Sequence, residues 1–363
     1  MESHISKAQF IQELKSREAG IVEIFNQPRY RQSFRPAELE QAVYSYLVRP
    51  AKRFRPGLLL FSCGAVGGRE EQAVYAAAAV EVYHTWTLVH DDVIDNDPLR
   101  RGSPTVHEQF RRRGLELGYS SGDAEALGRN MAILAGDLQH AWSVRLLLDS
   151  AELGVPLLVL IDLAHRLEVE VTNELLAGEA LDVLFAKRPI GELQEAEILE
   201  MLELKTGVLY QFAGMAGAAI GLAQPPTGNE LIQGIGRFTR RCGTAFQLQD
   251  DILGITGNEQ VLGKAVGSDI REGKRTLIVL HAYHEADITD REFLETWLGN
   301  PAAGPAEIGR INRILIDNGG IEYTRTLAAE IVAAAVDELK PLTDSHYKEL
   351  LLTWARYVVE RDF

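Results

Sequence analysis

The segment PLLVLIDLAHRLEVEVTNELLAGEALDVLF, Pro156 to Phe185, decides the fold class. Leu160, Leu163, Ala164, Leu167, Val171 and Leu175 recur at three- and four-residue steps, so one face of a helix stays apolar over many turns. Pro156 suits a helix start, where a missing N–H is harmless, and Pro189 suits a stop. The same spacing runs through most of the chain, whereas period-two alternation flanked by turn residues is hard to find. The pattern predicts an all-α bundle of about ten or more helices.

Outside the helical runs, three stretches read as loops. RRRGLELGYSSGDAEALGR, 111–129, has the Gly, Ser and charge content of a mobile surface connection; QPPTGN, 224–229, and LGNPAAGPAE, 298–307, are the others. None has the character of a domain linker, and no fixed-period repeat appears, so residues 1–363 are expected to form one domain.

Composition narrows the class. A chain of 363 residues with 46% hydrophobic and 25% charged residues can bury a large core as an ordinary soluble globular protein. A net charge of −15 argues against nucleic acid or an anionic membrane as the main partner, although local cationic clusters can still take small anions. Only two cysteines, Cys63 and Cys242, are present, which suits a reducing cytoplasm better than a disulfide framework. The opening MESHISKAQFIQELKSRE is polar with a helical pattern, unlike a signal segment. The one uncharged span of membrane length, Thr206 to Asn229, is rich in Gly and Ala and ends in two prolines; it is expected to be a buried helix with close neighbours rather than a membrane span.

Chemistry concentrates in TLVHDDVIDNDPLRRG, Thr87 to Gly102. Asp91 and Asp95 lie one turn apart on one helical face, and Asp92 is rotated by about 100°. Such carboxylates repel one another unless a cation joins them, and oxygen ligands of this kind suit Mg²⁺, which leaves coordination positions to water and substrate phosphate. A phosphorylated ligand is therefore expected, with donors supplied by Arg100 and Arg101. Asp97 is read as solvated. A second acidic pair, Asp250 and Asp251 in GTAFQLQDDILGITG, also follows an apolar helical run, with Gln247 one turn earlier; two such pairs can face each other across one cavity of a bundle.

Cations surround these pairs in the sequence. Lys52, Arg53 and Arg55 precede a helix expected to begin near Pro56, where a helix N-terminus also favours anions. Lys205 and Thr206 stand at the mouth of the uncharged helix, and Lys264 and Lys274 lie among glycines in a loop able to wrap phosphate oxygens. His84 lies about 10 Å up the helix from Asp91 on the same face, a place for a second anion near the first. Taken singly, each lysine could equally be a solvated surface charge, and His84 a satisfied core residue.

The ordered set AKRFRP, EVYHTWTLVHDDVID, DPLRRG, AGDLQ, ELKTG, FQLQDD and GKAVGSDIREGKRT, spread over residues 45–280, resembles the trans-isoprenyl diphosphate synthases, the head-to-tail prenyl chain elongases. The resemblance implies a bundle of long helices around a deep central cavity, usually in a homodimer. It implies that Asp91, Asp92 and Asp95 of the DDxxD motif, with Asp250 and Asp251 of the second, bind about three Mg²⁺ together with an allylic diphosphate. Arg100, Lys205 and Lys264 match positions that hold that diphosphate. Lys52, Arg55, His84 and Arg101 match those that hold isopentenyl diphosphate, and Thr206, Gln247 and Lys274 match residues lining the reacting centre. The primer would be dimethylallyl, geranyl or farnesyl diphosphate. No side chain is needed as a nucleophile, which agrees with the lack of a persuasive Ser/His/Asp or Cys/His set.

Three positions depart from the family pattern: Ala51 for Gly, Gly254 for the last aspartate of the second motif, and Glu179 for the Gln common after Gly178. By the same resemblance, product length is limited by the fifth residue before the first motif, here Trp86, with Tyr83 one turn deeper. Bulky rings there imply geranylgeranyl diphosphate (C20), then farnesyl diphosphate (C15). An ideal wheel puts Tyr83 about 80° and Trp86 about 140° from Asp91, so periodicity alone leaves them as core packing. Two other readings share the first motif. A class I terpene cyclase would show (N/D)DxxSxxxE, where this chain has Gly254 and Asn258, and would need no isopentenyl diphosphate site; a non-catalytic regulatory subunit would show degraded aspartates, and the first motif is intact.

Overall fold

The structure, a computed structural model, describes residues 5–256 and 268–360. The chain divides into two compact units. The first comprises Met1–Leu167, Phe212–Ile235 and Pro341–Thr353. It contains α1 (Lys7–Phe25), α2 (Pro28–Arg31), α3 (Ala37–Tyr44), α4 (Phe54–Ala65), α5 (Glu70–Ile94), α6 (Val106–Glu116), α7 (Ser121–Asp149) and α8 (Leu157–His165), with a small hairpin, β1 (Leu99–Arg100) and β2 (Ser103–Pro104), between α5 and α6. The second comprises Glu168–Gln211, Gly236–Lys340 and Trp354–Phe363. Its elements are α9 (Thr172–Phe185), α10 (Glu195–Leu202), α13 (Ser268–Glu272), α14 (Leu277–Glu285), α15 (Ile288–Trp297), α16 (Pro305–Asp317) and α17 (Gly320–Val336). Three helices, α11 (Val208–Leu222), α12 (Glu230–Thr256) and α18 (His346–Glu360), carry residues of both units.

In the first unit α5 packs along α7 and against α4. The run Ala76 to Ala79 is fully buried, and its small side chains let the neighbouring helices close in. Leu58, Leu59 and Phe61 of α4 are also excluded from solvent, each stabilising by about 1.5–3 kcal/mol. A second aromatic core gathers on Trp142, whose ring centroid lies 5.2–5.9 Å from those of Phe25, Tyr30, Phe34 and Tyr44. The uncharged stretch behaves as its composition predicts: Gly217 and Gly221 of α11 lie against the backbone of α4, so close that a Cβ on either would sit 2.0 Å from the Leu59 carbonyl oxygen or 2.6 Å from that of Cys63. No described helix is long and apolar enough to cross a membrane.

The expected loop at 111–129 is largely helical. Residues 117–120 alone separate α6 from α7, with Gly118 at φ +83° making the turn and the Ser120 side chain accepting from the Asp123 N–H as the N-cap of α7. The other glycines mark close crossings, since a Cβ on Gly128 would meet the His107 carbonyl oxygen at 2.3 Å and one on Gly114 the Ala124 Cα at 3.0 Å. The segment Pro156 to Phe185 follows its pattern: α8 starts after Pro156, passes through a π-helical stretch at Arg166–Val171 and continues as α9, with Leu160, Leu163, Leu167, Val171 and Leu175 buried.

In the second unit, Trp354 packs against Tyr210 and Phe238, with ring centroids at 5.3 and 6.0 Å. A second π-helical turn, Glu203–Gly207, joins α10 to α11 and packs against α9. There Gly178 meets the Lys205 backbone, where a Cβ would lie 2.3 Å from the amide nitrogen.

Candidate active site

Helix α5 ends at Ile94, and Asp95 caps it with its N–H bonded to the Asp91 carbonyl at 2.8 Å. Asn96 at φ +55° then turns the chain toward the hairpin. Asp97 is buried, not solvated: its N–H donates to the Asp92 carbonyl, and its own carbonyl accepts from the Thr105 hydroxyl at 2.8 Å, which ties the end of α5 to the start of α6. The β1–β2 turn places Arg101 and Gly102 at positive φ and folds Arg100 back over the aspartates. Arg100 donates from Nε to Asp92 Oδ1 at 2.6 Å and from Nη2 to Asp91 Oδ2 at 2.8 Å. The Tyr46 hydroxyl donates to the other oxygen of Asp92. Asp92 is fully excluded from solvent, and this burial pushes its pKa up to about 6 despite Arg100. Asp91 and Asp95 are half-buried.

Beside this group is a cavity in the first unit, lined by Tyr46, Arg49, Glu81, His84, Thr85, Leu88, Arg100 and Arg101. Arg55 Nη1 lies 3.1 Å from His84 Nε2, and burial, reinforced by Arg55, holds the His84 pKa well below its ordinary value. The imidazole is thus neutral, with Nε2 accepting from Arg55 and the proton on Nδ1. Of the four residues matched to isopentenyl diphosphate, His84 and Arg101 line one cavity and Arg55 contacts His84; Lys52 is exposed, with its ammonium 5.9 Å from the Phe54 ring.

The turn carrying Lys52 and Arg55 is held by the third cation of that stretch, which turns inward to carboxylates instead of facing an anion. Arg53, in the left-handed region at φ 47°, caps α4, which begins at Phe54, two residues before Pro56. Its buried guanidinium donates to Glu81 Oε1 at 2.5 Å, Glu18 Oε1 at 3.0 Å and the Leu47 carbonyl at 2.8 Å. Glu81 is legible in retrospect, as the one acid in the apolar run AAAAVEVY of a buried helix. Nothing in KRFR distinguishes the inward arginine from the others.

The second unit brings Lys205 and Lys274 into one group of polar contacts, and Thr206, Gln247 and Asp251 into another. The π turn presents Lys205 to α9, where Nζ meets Asp182 Oδ2 at 2.6 Å and Glu179 Oε2 at 2.9 Å. Lys274 lies 3.8 Å from Asp182 and 3.5 Å from Glu272. Thr206 donates to Gln247 at 3.2 Å, and Gln247 in turn donates to Asp251 Oδ1 at 3.0 Å. Asp182, Glu272 and Asp269 were not anticipated. Asp269 approaches Gly254, where a Cβ would lie 3.2 Å from its Oδ2, so a neighbouring carboxylate reaches the place of the missing last aspartate. Lys264 lies outside the described residues.

Asp251 provides a test of whether a divalent cation fits. Its Oδ2 is buried without a hydrogen-bond partner, and burial, with Asp269, Asp250 and Asp182 nearby, pushes its pKa up to about 8 despite the Gln247 hydrogen bond. Removing an uncompensated carboxylate from water is unfavourable, and a bound cation relieves that penalty. Among the described residues no three His, Cys, Asp or Glu side chains lie together closely enough to hold a metal ion by themselves.

Tyr83 and Trp86 lie on the face of α5 turned to α7, away from the His84 cavity. Both are buried, with ring centroids 4.9 Å apart, and the Trp86 ring lies 4.3 Å from that of His140. Trp86 Nε1 donates to His90 Nδ1 at 3.1 Å, and His90 Nε2 donates to the Ile133 carbonyl at 3.2 Å. Gly136 makes room for that ring, since a Cβ there would overlap it at 2.1 Å.

The family model for polyprenyl synthetase matches residues 36–315. Geranylfarnesyl diphosphate synthase of Aeropyrum pernix is 34% identical over 91% of this chain and 96% of its own length. Geranylgeranyl diphosphate synthase of Methanosarcina mazei is 33% identical over 91% of each chain. The crystal structure of geranylgeranyl pyrophosphate synthetase from Pyrococcus horikoshii superimposes with a TM-score of 0.82 at 33% identity, covering 98% of this chain and 99% of its own. The chain belongs to the polyprenyl synthetase family and is an all-α trans-prenyltransferase of the short-chain kind.

Proposed function

We propose that this enzyme is Mg²⁺-dependent and joins isopentenyl diphosphate head to tail with an allylic diphosphate, giving geranylgeranyl diphosphate as the main product and farnesyl diphosphate next. The observation that carries the reading is the cation-lined cavity at His84 and Arg101, directly beside Arg100 and its aspartate pair. In the reaction the allylic C–O bond breaks and its electron pair leaves with diphosphate. The double bond of isopentenyl diphosphate forms the new C–C bond with the allylic cation, and a proton passes to the released diphosphate to restore an alkene.

Arg100, Lys205 and Lys264 hold the allylic diphosphate and stabilise the charge that develops as it departs. Lys52, Arg55, His84 and Arg101 hold isopentenyl diphosphate; the neutral His84 serves as a hydrogen-bond donor there, and the arginines supply charge. Thr206, Gln247 and Lys274 line the reacting centre. Asp91, Asp92, Asp95, Asp250 and Asp251 form the magnesium-binding set, with about three ions expected. Bound magnesium would supply positive charge to the diphosphate. Trp86, with Tyr83 behind it, limits the product. The names of the relatives, geranylgeranyl and geranylfarnesyl diphosphate synthase, support a length of C20 or one isoprene unit more.

The two units work as one prenyl synthase domain, in keeping with a family match that runs through residues of both. The enzyme acts as a homodimer. Large apolar side chains lie in solvent at Leu157, Leu158 and Ile161 in the first unit and at Leu176, Val183 and Leu184 in the second, as a subunit interface requires. Buried, unpaired Cys63 and Cys242 suit a cytoplasmic location. Calorimetric titration in Mg²⁺ with isopentenyl diphosphate and, separately, geranyl diphosphate tests the assignment. Saturable binding of both is expected; binding of the allylic diphosphate alone would point to a terpene cyclase and overturn it.

A further inference from the structure

The segment just past α3 grips the hairpin that carries Arg100 and Arg101. Arg49 donates from Nη1 to the Arg100 carbonyl at 3.2 Å and from Nη2 to the Pro104 carbonyl at 2.7 Å. Gln109 Nε2 joins the same carbonyl of Pro104, at 2.9 Å, to Ser45 Oγ, at 2.8 Å. Tyr46 is the centre of this grip. Its oxygen accepts from the Val106 N–H at 3.2 Å, at the first turn of α6, and its proton goes to Asp92. A chain of polar contacts therefore runs from the α6 backbone through Tyr46 and Asp92 to Arg100 and ends at Asp91.

Each link is one-directional, and those made by Tyr46 and Asp92 are shielded from water. Tyr46 is 6% exposed and Asp92 is 0% exposed, so neither can exchange its partner for solvent. With one carboxylate oxygen taken by Tyr46, the other is left for Arg100 Nε, and the planar guanidinium then has one orientation in which Nη2 reaches Asp91. Without the tyrosine hydroxyl, the Asp92 carboxylate can rotate and the arginine fork can turn with it.

We propose that Tyr46 is a positioning residue for Arg100, acting through Asp92: its hydroxyl locks the Asp92 carboxylate and so fixes the arginine fork at the edge of the cavity. Tyr46 thereby controls how well an allylic diphosphate is held without contacting the reacting atoms. The inference rests on the reading of Arg100 as a residue that holds that diphosphate.

Tyr46→Phe tests it. In Mg²⁺, the dissociation constant and KM for geranyl diphosphate are expected to rise about ten-fold, the scale of one hydrogen bond to a charged group, and those for isopentenyl diphosphate, whose cavity Tyr46 also lines, by clearly less. In an Arg100→Gln background, which by itself weakens geranyl diphosphate, the same substitution should add nothing. Equal weakening of both ligands, full additivity with Arg100→Gln, or no effect where Arg100→Gln has a large one would each overturn the proposal. If Arg100→Gln leaves geranyl diphosphate binding intact, the failure lies in the reading of Arg100, and the proposal falls with it. Should Tyr46→Phe not fold, Val106→Pro removes the donor that fixes the Tyr46 oxygen, at a helix position that accepts proline; a selective loss for geranyl diphosphate is again expected, and its absence would overturn the inference.

Discussion

Gly178→Ala is a demanding perturbation because it touches the site through backbone alone. A methyl group at position 178 would lie 2.3 Å from the Lys205 amide nitrogen and 2.8 Å from Leu204 C and Lys205 Cα. Backbone atoms cannot rotate aside, so α9 and the π turn must part by about 0.7 Å to reach even a tight 3.0 Å contact. Overpacking of this kind costs about 1–3 kcal/mol of stability. The same shift falls on Lys205, whose partners Asp182 and Glu179 lie on the helix being pushed away. Misplacement on this scale near a reacting centre lowers kcat/KM by up to about 10²-fold. Urea unfolding measures the first effect and steady-state kinetics with varied allylic diphosphate the second. A variant within about 0.5 kcal/mol of the parent and with unaltered kcat/KM would refute the argument that the close approach positions Lys205.

Other perturbations probe other links. Asp251 has a folded-state pKa of about 8 against an ordinary 3.8, so its contribution to stability is fully present below 3.8 and is lost as pH rises through 8. Asp251→Asn should therefore flatten the decline in melting temperature of the metal-free protein between about pH 4 and 8, and parallel curves for parent and variant would contradict the assigned burial effect. Glu81→Ala removes the shorter of the two carboxylate contacts of buried Arg53, which keeps Glu18, and should destabilise by about 1.5–3 kcal/mol in denaturant unfolding, while weakening isopentenyl diphosphate through the loosened Lys52–Arg55 turn; a loss under about 1 kcal/mol would count against the pair. Trp86→Ala should lengthen the product, and an unchanged distribution on chromatography would remove Trp86 as the limiting residue.

The helical fold was readable because burial of one face writes a period into the sequence, as Leu160, Leu163, Leu167 and Leu175 do. Glycine was the main source of error. Gly114 and Gly128 looked like loop breakers, yet both sit where two helices touch, and a sequence does not say whether a missing side chain serves a turn or a close contact. The DDxxD residues and the cations were visible as a combination of motifs, whereas Tyr46, Asp182 and the inward role of Arg53 were not, because these depend on partners far away in sequence. Asp97 illustrates the same limit: four acids in seven residues suggest a solvated turn, but the backbone of Asp97 is bound into the junction of α5 and α6.

The central claim is that this protein elongates prenyl diphosphates. The most direct measurement is product sizing after incubation of the purified protein with Mg²⁺, labelled isopentenyl diphosphate and each of dimethylallyl, geranyl and farnesyl diphosphate. Label is expected in elongated diphosphates that accumulate at geranylgeranyl diphosphate, and in none with Asp91→Ala. Absence of any elongated diphosphate, or a hydrocarbon product free of label, would contradict it.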